Sequence, residues 1–432
     1  MENGTTAPER EQRRVLAWIF CGDRSLWVVV VALAVLSLLV IYSSTASLAY
    51  KTNGGNTTHY LFSQFCIVVM NLLVIAGLAH FNYQLYHGKR VTRLMFWAAI
   101  VLMAMTFFVG TNLNDAHRWL RVPVVGITFQ PSDFLKVALV IVLARQLAKR
   151  QNVIDKIKIL PSLSPWDWKD DPVTNRNILF EHTLPLLLPI GLSCALIFFS
   201  NFSTSALTFV TCWIMLYIGR VKVRELFKLL GLVAVAVALA VSLMATFNIG
   251  RSRTWVNRVK RFAAVEQTDA SGAAAEPDED DLQSREAKIA VASGGLFGKG
   301  PGLSTQRANL PHSYSDFAYA FVVEEYGLVG AVVVLLLYLW IFYRSIIIFK
   351  KCGTAFPSML VLGLGLLITL QALINMCVSV TLLPVTGQTL PLVSKGGSSS
   401  LFMSMALGIM LGISRQIEEQ SIDKPRTESL TE

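Results

Sequence analysis

The stretch Leu26-Trp27-Val28-Val29-Val30-Val31-Ala32-Leu33-Ala34-Val35-Leu36 runs on to Ala49 without a charged residue. An α-helix needs about twenty apolar residues to cross roughly 30 Å of hydrocarbon, so residues 26–49 read as a membrane span. The same pattern recurs at 61–80, 94–110, 133–148, 183–200, 204–219, 227–247, 317–347, 356–383 and 399–414, giving about ten spans. Composition agrees, with 53% hydrophobic and only 15% charged residues. The expected fold is therefore an all-α polytopic membrane protein. Residues 1–25 and 415–432 are its tails, and 26–414 is a transmembrane domain with a large loop at about 248–316 between the seventh and eighth spans.

Short cytoplasmic loops retain Lys and Arg beside spans. Arg10, Arg13 and Arg14, then Lys89, Arg90 and Arg93, the stretch from Arg145 to Lys158, the turn Arg220 to Arg224, and Lys350-Lys351 all fall on one side if ten crossings are right. Both termini are thus expected in the cytoplasm. The formal charge of +10 then faces anionic lipids of the inner leaflet, and a nucleic-acid partner is not needed to explain it. The first apolar run is too long for a cleavable signal peptide and lacks a small-residue cleavage site. The six cysteines contain no Cys-x-x-Cys pair and mostly fall within spans or at their ends, as small buried residues do. The histidines show no zinc spacing.

Counting crossings places 50–60, 111–131, 248–316 and 384–398 outside. Asp316 lies where the last part of the long loop, rich in glycine from Gly294 to Gly302, runs into the eighth span. An ionisable group at the edge of hydrocarbon usually marks function, which makes Asp316 the first candidate for a catalytic base. A second cluster is Arg118-Trp119, followed by Gln130-Pro131-Ser132-Asp133 and Lys136. Proline at a helix's first position leaves N–H groups that attract anions, and the planar fork of Arg118 suits phosphate oxygens. The cluster is consistent with a phosphate site. It is equally consistent with Trp119 as an interfacial belt residue and Lys136 paired with Asp133 three residues away.

The long loop divides into unlike parts. Residues 251–262 alternate basic and apolar residues, as a surface-lying amphipathic helix would. Residues 267–281 are Ala-, Asp- and Glu-rich without apolar periodicity, and read as disordered. Asp278-Glu279-Asp280 invites comparison with an Asp-x-Asp metal motif, but a solvated acidic insertion explains it too. Glycines 294, 295, 298, 300 and 302 indicate turns where the backbone approaches a ligand or another helix. The Pro/Gly-broken stretch from Pro384 to Ser398 is either a re-entrant loop, tolerated at membrane depth where protein or a watery cavity surrounds it, or an ordinary surface loop.

Together these motifs resemble the SEDS family, the FtsW and RodA proteins of bacterial cell division and elongation. The resemblance rests on Arg118-Trp119, Gln130-Pro131-Ser132 with Lys136, Ser293 to Gly302, Leu310-Pro311, Ser315-Asp316-Phe317, Glu324-Glu325 with Gly327, and Pro384 to Ser399. It spans most of the chain. Gly302-x-Ser304-x-Gln306-Arg307 and Thr386 to Pro391 look more like FtsW than RodA. Three departures stand out: Ser313-Tyr314-Ser315 before the aspartate, Asp133 where a glutamate is usual, and Lys395 where a tyrosine is usual.

The resemblance implies a peptidoglycan glycosyltransferase that polymerises Lipid II at the outer face of the bacterial inner membrane during septal synthesis. Its implied partners are a class B penicillin-binding protein and other membrane proteins of the divisome. Asp316 looks like the family's essential loop aspartate, and Arg118, Trp119 and Lys136 like its substrate-cavity residues. Gln130, Ser132, Lys299, Ser304, Gln306 and Ser398 complete the expected substrate-binding set. No motif calls for a cofactor, and a divalent cation, Mg or Mn, is left open. A donor with a lipid diphosphate leaving group needs cations against the departing phosphates and one base for the acceptor hydroxyl. Arg118 and Lys136 would fill the first role and Asp316 the second. Two rivals stay open: a lipid-precursor flippase, which would need a polar route through both leaflets, and a non-catalytic scaffold, in which Asp316 would be replaceable.

Overall fold

A computed structural model describes residues 20–52, 57–109, 111–113, 116–121, 128–157, 179–246, 279–305, 316–394 and 397–423. Among the described residues, the regular structure is helical apart from a small antiparallel ribbon. The helices are α1 (Arg24–Thr52), α2 (Thr57–Ala79), the short α3 (Gln84–His87) and α4 (Lys89–Val109). The ribbon follows as β1 (Thr111–Leu113), β2 (Ala116–Arg121) and β3 (Thr128–Phe129), paired in that order. Then come α5 (Pro131–Lys149), α6 (Leu184–Ser200), α7 (Phe202–Ile218), α8 (Val223–Thr246), α9 (Glu279–Gly294), α10 (Ala318–Lys351), α11 (Ala355–Ser379) and α12 (Gly397–Asp423).

Each of the ten expected spans coincides with one of these helices, and eight are long and apolar enough to cross a membrane. The other two are α7, which is apolar but only 17 residues long, and α5, whose Asp133, Lys136, Arg145 and Lys149 dilute its apolar run. This is a multi-pass membrane protein. Burial separates its helices into two kinds. In α11 and α12, 78% of the most apolar stretch is buried inside the protein, against 22% in α2 and 11% in α8. A helix apolar all round belongs in a core or in lipid; α11 and α12 form the core, while α2 and α8 turn most of their surface outward. Arg251 to Phe262 lie outside the described residues, as does most of the acidic stretch, although α9 begins at Glu279 and takes in Asp280 and Asp281. A helix from Glu279 to Gly294 was not expected there.

Helix α10 is broken at Gly327, where φ is +68° and ψ is −164°, a conformation open essentially only to glycine. A break leaves backbone groups unpaired, and in hydrocarbon these must be satisfied. The glycine-rich loop after α9 does this by exchange. Lys299 N–H and Gly300 N–H donate to the carbonyls of Glu324 and Glu325, both at 3.0 Å, while Leu328 and Val329 donate to the carbonyls of Gly295 and Leu296. The contact leaves no room for side chains. A Cβ on Gly298 would fall 2.2 Å from the Glu325 carbonyl oxygen, and one on Gly327 2.3 Å from that of Leu296. The expectation that these glycines let backbone approach another helix is met here by α10.

Candidate functional site

The residues from 384 to 394 form a buried segment, not a surface loop. Thr386, Gln388, Leu390, Leu392, Val393 and Ser394 are all buried. Its polar backbone is met from every side. Asn201 at the start of α7 donates to the Thr386 carbonyl at 3.4 Å, and Asn375 of α11 donates to that of Gln388 at 2.6 Å. Ser37 of α1 donates to that of Val393 at 3.0 Å, and Tyr338 of α10 to that of Pro391. A non-helical segment within a helical membrane protein survives under these conditions, which favours the re-entrant reading.

Two amides on α11 organise the site beside this segment. Gln371 and Asn375 stand one turn apart, so both face the same way, and both are buried. Gln371 accepts from the Lys136 ammonium at 2.7 Å and donates to the Thr389 carbonyl at 3.2 Å. Asn375 donates to the backbone carbonyl of Asp316 at 2.8 Å as well as to Gln388. In this way the start of α10, the re-entrant segment and the first turn of α5 are fastened to one helix. Asp316 itself is half-buried, immediately before the fully buried Phe317 that leads α10.

Lys136 is wholly buried and lies 2.7 Å from Asp133, one turn earlier. An ammonium taken out of water must be compensated, and here Asp133 and Gln371 supply that. In this state its charge is not presented to solvent. The first turn of α5 is held from the other side by Ser398 at the start of α12, whose hydroxyl accepts from Gln130 N–H at 3.1 Å. The Gln130 side chain donates to Ser132 at 2.9 Å. Thr389 and Ser399 hydroxyls are hydrogen-bonded at 3.1 Å, closing the ring. Gln130, Ser132, Lys136 and Ser398 are thus brought together.

The other predicted residues lie at varying distance from that ring. Arg118 and Trp119 are on β2, with Trp119 half-buried; the Arg118 side chain lies outside the described residues, as does all of Gln306. Lys299 and Ser304 form a separate cluster at the break in α10. The Glu324 carboxylate, wholly buried, accepts from Lys299 at 2.8 Å, from Ser304, and from Thr305 N–H at 2.9 Å. Glu325 accepts from Ser43 of α1. Lys299 and Ser304 therefore hold a buried carboxylate in this state.

Gln371, Asn375 and Glu324 were not singled out as site residues from sequence. Gln371 and Asn375 carried a legible signal, two amides four residues apart inside an apolar span, where polar groups are costly. Glu324 was visible only as part of a family pattern. Among the described residues, no group of three or more His, Cys, Asp or Glu side chains is placed to hold a metal ion.

Fold and site define a polytopic helical membrane protein whose buried polar groups converge at one end of the bundle, beside a half-buried carboxylate. A family profile described as "Cell cycle protein", covering FtsW, RodA and SpoVE, matches residues 23–419, and the chain belongs to that family. It is 29% identical over 406 residues to a probable peptidoglycan glycosyltransferase FtsW of Neisseria gonorrhoeae, spanning 90% of this chain and 83% of the relative. It is 27% identical over 403 residues to stage V sporulation protein E of Bacillus subtilis, spanning 91% and 97%. Among solved structures, a chain of a peptidoglycan synthase complex superposes with a TM-score of 0.65 at 20% identity, covering 92% of this chain and 98% of that one. Rod shape determining protein RodA of Thermus thermophilus gives 0.56 at 21% identity, covering 91% and 97%.

Proposed function

We propose that this chain is a peptidoglycan glycosyltransferase that polymerises Lipid II into glycan strands at the outer face of the bacterial inner membrane during septal wall synthesis. Membership of the family over residues 23–419 supports the reaction class, and relatives named as probable peptidoglycan glycosyltransferases support it further. The observation that carries the reading is the setting of Asp316. Its main chain is fastened through Asn375 to the re-entrant segment, on the same helix whose Gln371 reaches Lys136. A base at a water-accessible edge, fixed to a rigid polar platform, is what abstraction of one hydroxyl proton demands.

In the proposed reaction an acceptor sugar hydroxyl attacks the anomeric carbon of the donor. Asp316 takes the hydroxyl proton, the bond to the lipid diphosphate breaks, and configuration inverts in a single displacement. Arg118 supplies positive charge to the departing diphosphate. Lys136 would touch a phosphate only by exchanging Asp133 for it; otherwise it acts as a positioning residue. Both termini lie in the cytoplasm in this reading, and a class B penicillin-binding protein with other divisome membrane proteins works beside the enzyme.

The flippase alternative needs a polar route through both leaflets. On α11 the buried amides lie at Gln371 and Asn375, while Met359 to Ile368 is an uninterrupted apolar run, largely buried. Buried amides confined to one half of the central helix, with only Ser358 buried at its other end, favour reaction at one face over transport. The deciding experiment is polymerisation of labelled Lipid II by the purified chain, with and without a class B penicillin-binding protein. Glycan product that disappears in Asp316→Asn is expected. Product formation by Asp316→Asn at the parent rate would overturn the assignment.

A further inference from the structure

At the opposite end of the bundle lies a pocket of about 740 Å³, between the start of α4, the end of α5 and the start of α6. Five cations line it: Lys89 and Arg93 from α4, with Arg145, Lys149 and Arg150 from α5 and the residue that caps it. Among the described residues, no carboxylate lies within ion-pairing distance of any of them. Arg150 is 6% exposed. Its guanidinium donates to the Gln146 side chain and to the Glu181 carbonyl at 3.0 Å, but its buried Nε has no partner. Burial pushes the Arg150 pKa below its ordinary value, the mark of a cation short of compensation.

Thr92, Gln146, Glu181 and His182 are the pocket's other polar lining, and the remaining walls are apolar. Trp97 and Leu188, 51% and 58% exposed, stand on helices long and apolar enough to cross a membrane, so their exposed faces meet lipid. A soluble anion would match the cations and leave these walls wet. An amphiphile whose charge sits at the water boundary and whose chains lie in hydrocarbon matches both. Basic pockets between membrane helices are suited to anionic headgroups, since each Lys or Arg near the surface adds to the attraction, and arginine grips phosphate oxygens with its fork.

We propose that this pocket binds an anionic glycerophospholipid of the adjoining leaflet, its phosphate diester among Arg93, Arg145 and Arg150 and its acyl chains against Trp97 and Leu188. The site is distinct from the polar ring around Lys136 and independent of the polymerase reading. Under the orientation proposed above, the leaflet is the inner one.

The test uses the full chain in nanodiscs of phosphatidylcholine containing phosphatidylglycerol, with retained lipid counted by native mass spectrometry. Phosphatidylglycerol should be retained in preference to phosphatidylcholine. Arg93→Gln with Lys149→Gln, both at exposed positions, should weaken that retention by roughly thirtyfold. Lys350→Gln with Lys351→Gln removes the same charge at this end of the bundle but outside the pocket, and should leave retention unchanged. Equal retention of the two lipids, or equal loss in the two double variants, would overturn the proposal. Displacement of phosphatidylglycerol by millimolar inorganic phosphate would overturn the lipid assignment in favour of a free-anion site.

Discussion

At the scale of single residues, the polymerase reading divides the polar groups into those that react and those that hold. Asp316→Asn keeps shape and removes basicity, so polymerisation should fall by about 10²–10⁴-fold with an unchanged melting temperature, both measured on the same purified sample. Asn375→Ala should behave differently. It removes the donor to the buried Gln388 carbonyl and the half-buried Asp316 carbonyl, a loss of about 1–3 kcal/mol, and frees the main chain of Asp316. A lowered thermal midpoint together with reduced turnover is the expected outcome; reduced turnover at full stability would mean that Asn375 contacts substrate. Arg118→Lys keeps charge and loses the planar fork, so it should impair Lipid II turnover substantially if the residue grips a diphosphate. Near-normal turnover would leave Arg118 as an interfacial anchor.

Elements raise a different question, because two of them depend on particular residues, Gly327 in α10 and the Lys136 and Asp133 pair in α5. The break in α10 depends on Gly327. Alanine there would adopt a backbone conformation costing about 1–3 kcal/mol and would press its Cβ onto the Leu296 carbonyl, so Gly327→Ala should lower expression and thermal stability. Parent-like stability would show that α10 can straighten. The first turn of α5 depends on the buried Lys136 and Asp133 pair. Lys136→Met alone strands a buried carboxylate, typically at a cost of about 3–5 kcal/mol, whereas Lys136→Met with Asp133→Leu removes both charges and should restore much of the stability. Lipid II affinity measured in the double variant then separates the two roles. Affinity restored along with stability makes Lys136 a positioning residue, and affinity still lost makes it a ligand to phosphate.

For the molecule as a whole, catalysis should depend on the helical bundle and not on the acidic part of the long loop. Deleting residues 267–278, which stops short of α9, should leave polymerisation largely intact, because changing loop length alters closure entropy only weakly. Loss of glycan synthesis at normal expression would return the Asp-x-Asp reading to consideration. The two ends of the bundle carry different chemistry, one a ring of neutralised polar groups beside Asp316, the other a pocket whose five cations have no ion-pairing carboxylate among the described residues. That asymmetry suits a protein that works on one face of a membrane and anchors on the other.

Hydrophobic run length located the ten spans among the twelve α-helices of the described residues, eight of them meeting by themselves the constraint that hydrocarbon thickness sets. Local chemistry also marked Asp316, the Lys136 and Asp133 spacing, and the glycines near 294–302. The tertiary structure alone decided what those groups touch. Sequence spacing allowed Lys136 either a phosphate or Asp133, and burial against Gln371, 235 positions away, is what favours the ion pair in this state. The glycines could have met a ligand or a helix, and the break at Gly327 supplied the helix. Lys299 and Ser304 acquired their partner only once the loop after α9 lay against α10, and Asn375 only once α11 met the start of α10 and the segment around Gln388. A backbone's periodicity is written in consecutive residues, whereas the partner of a buried polar group is chosen by helices that meet only in the folded bundle.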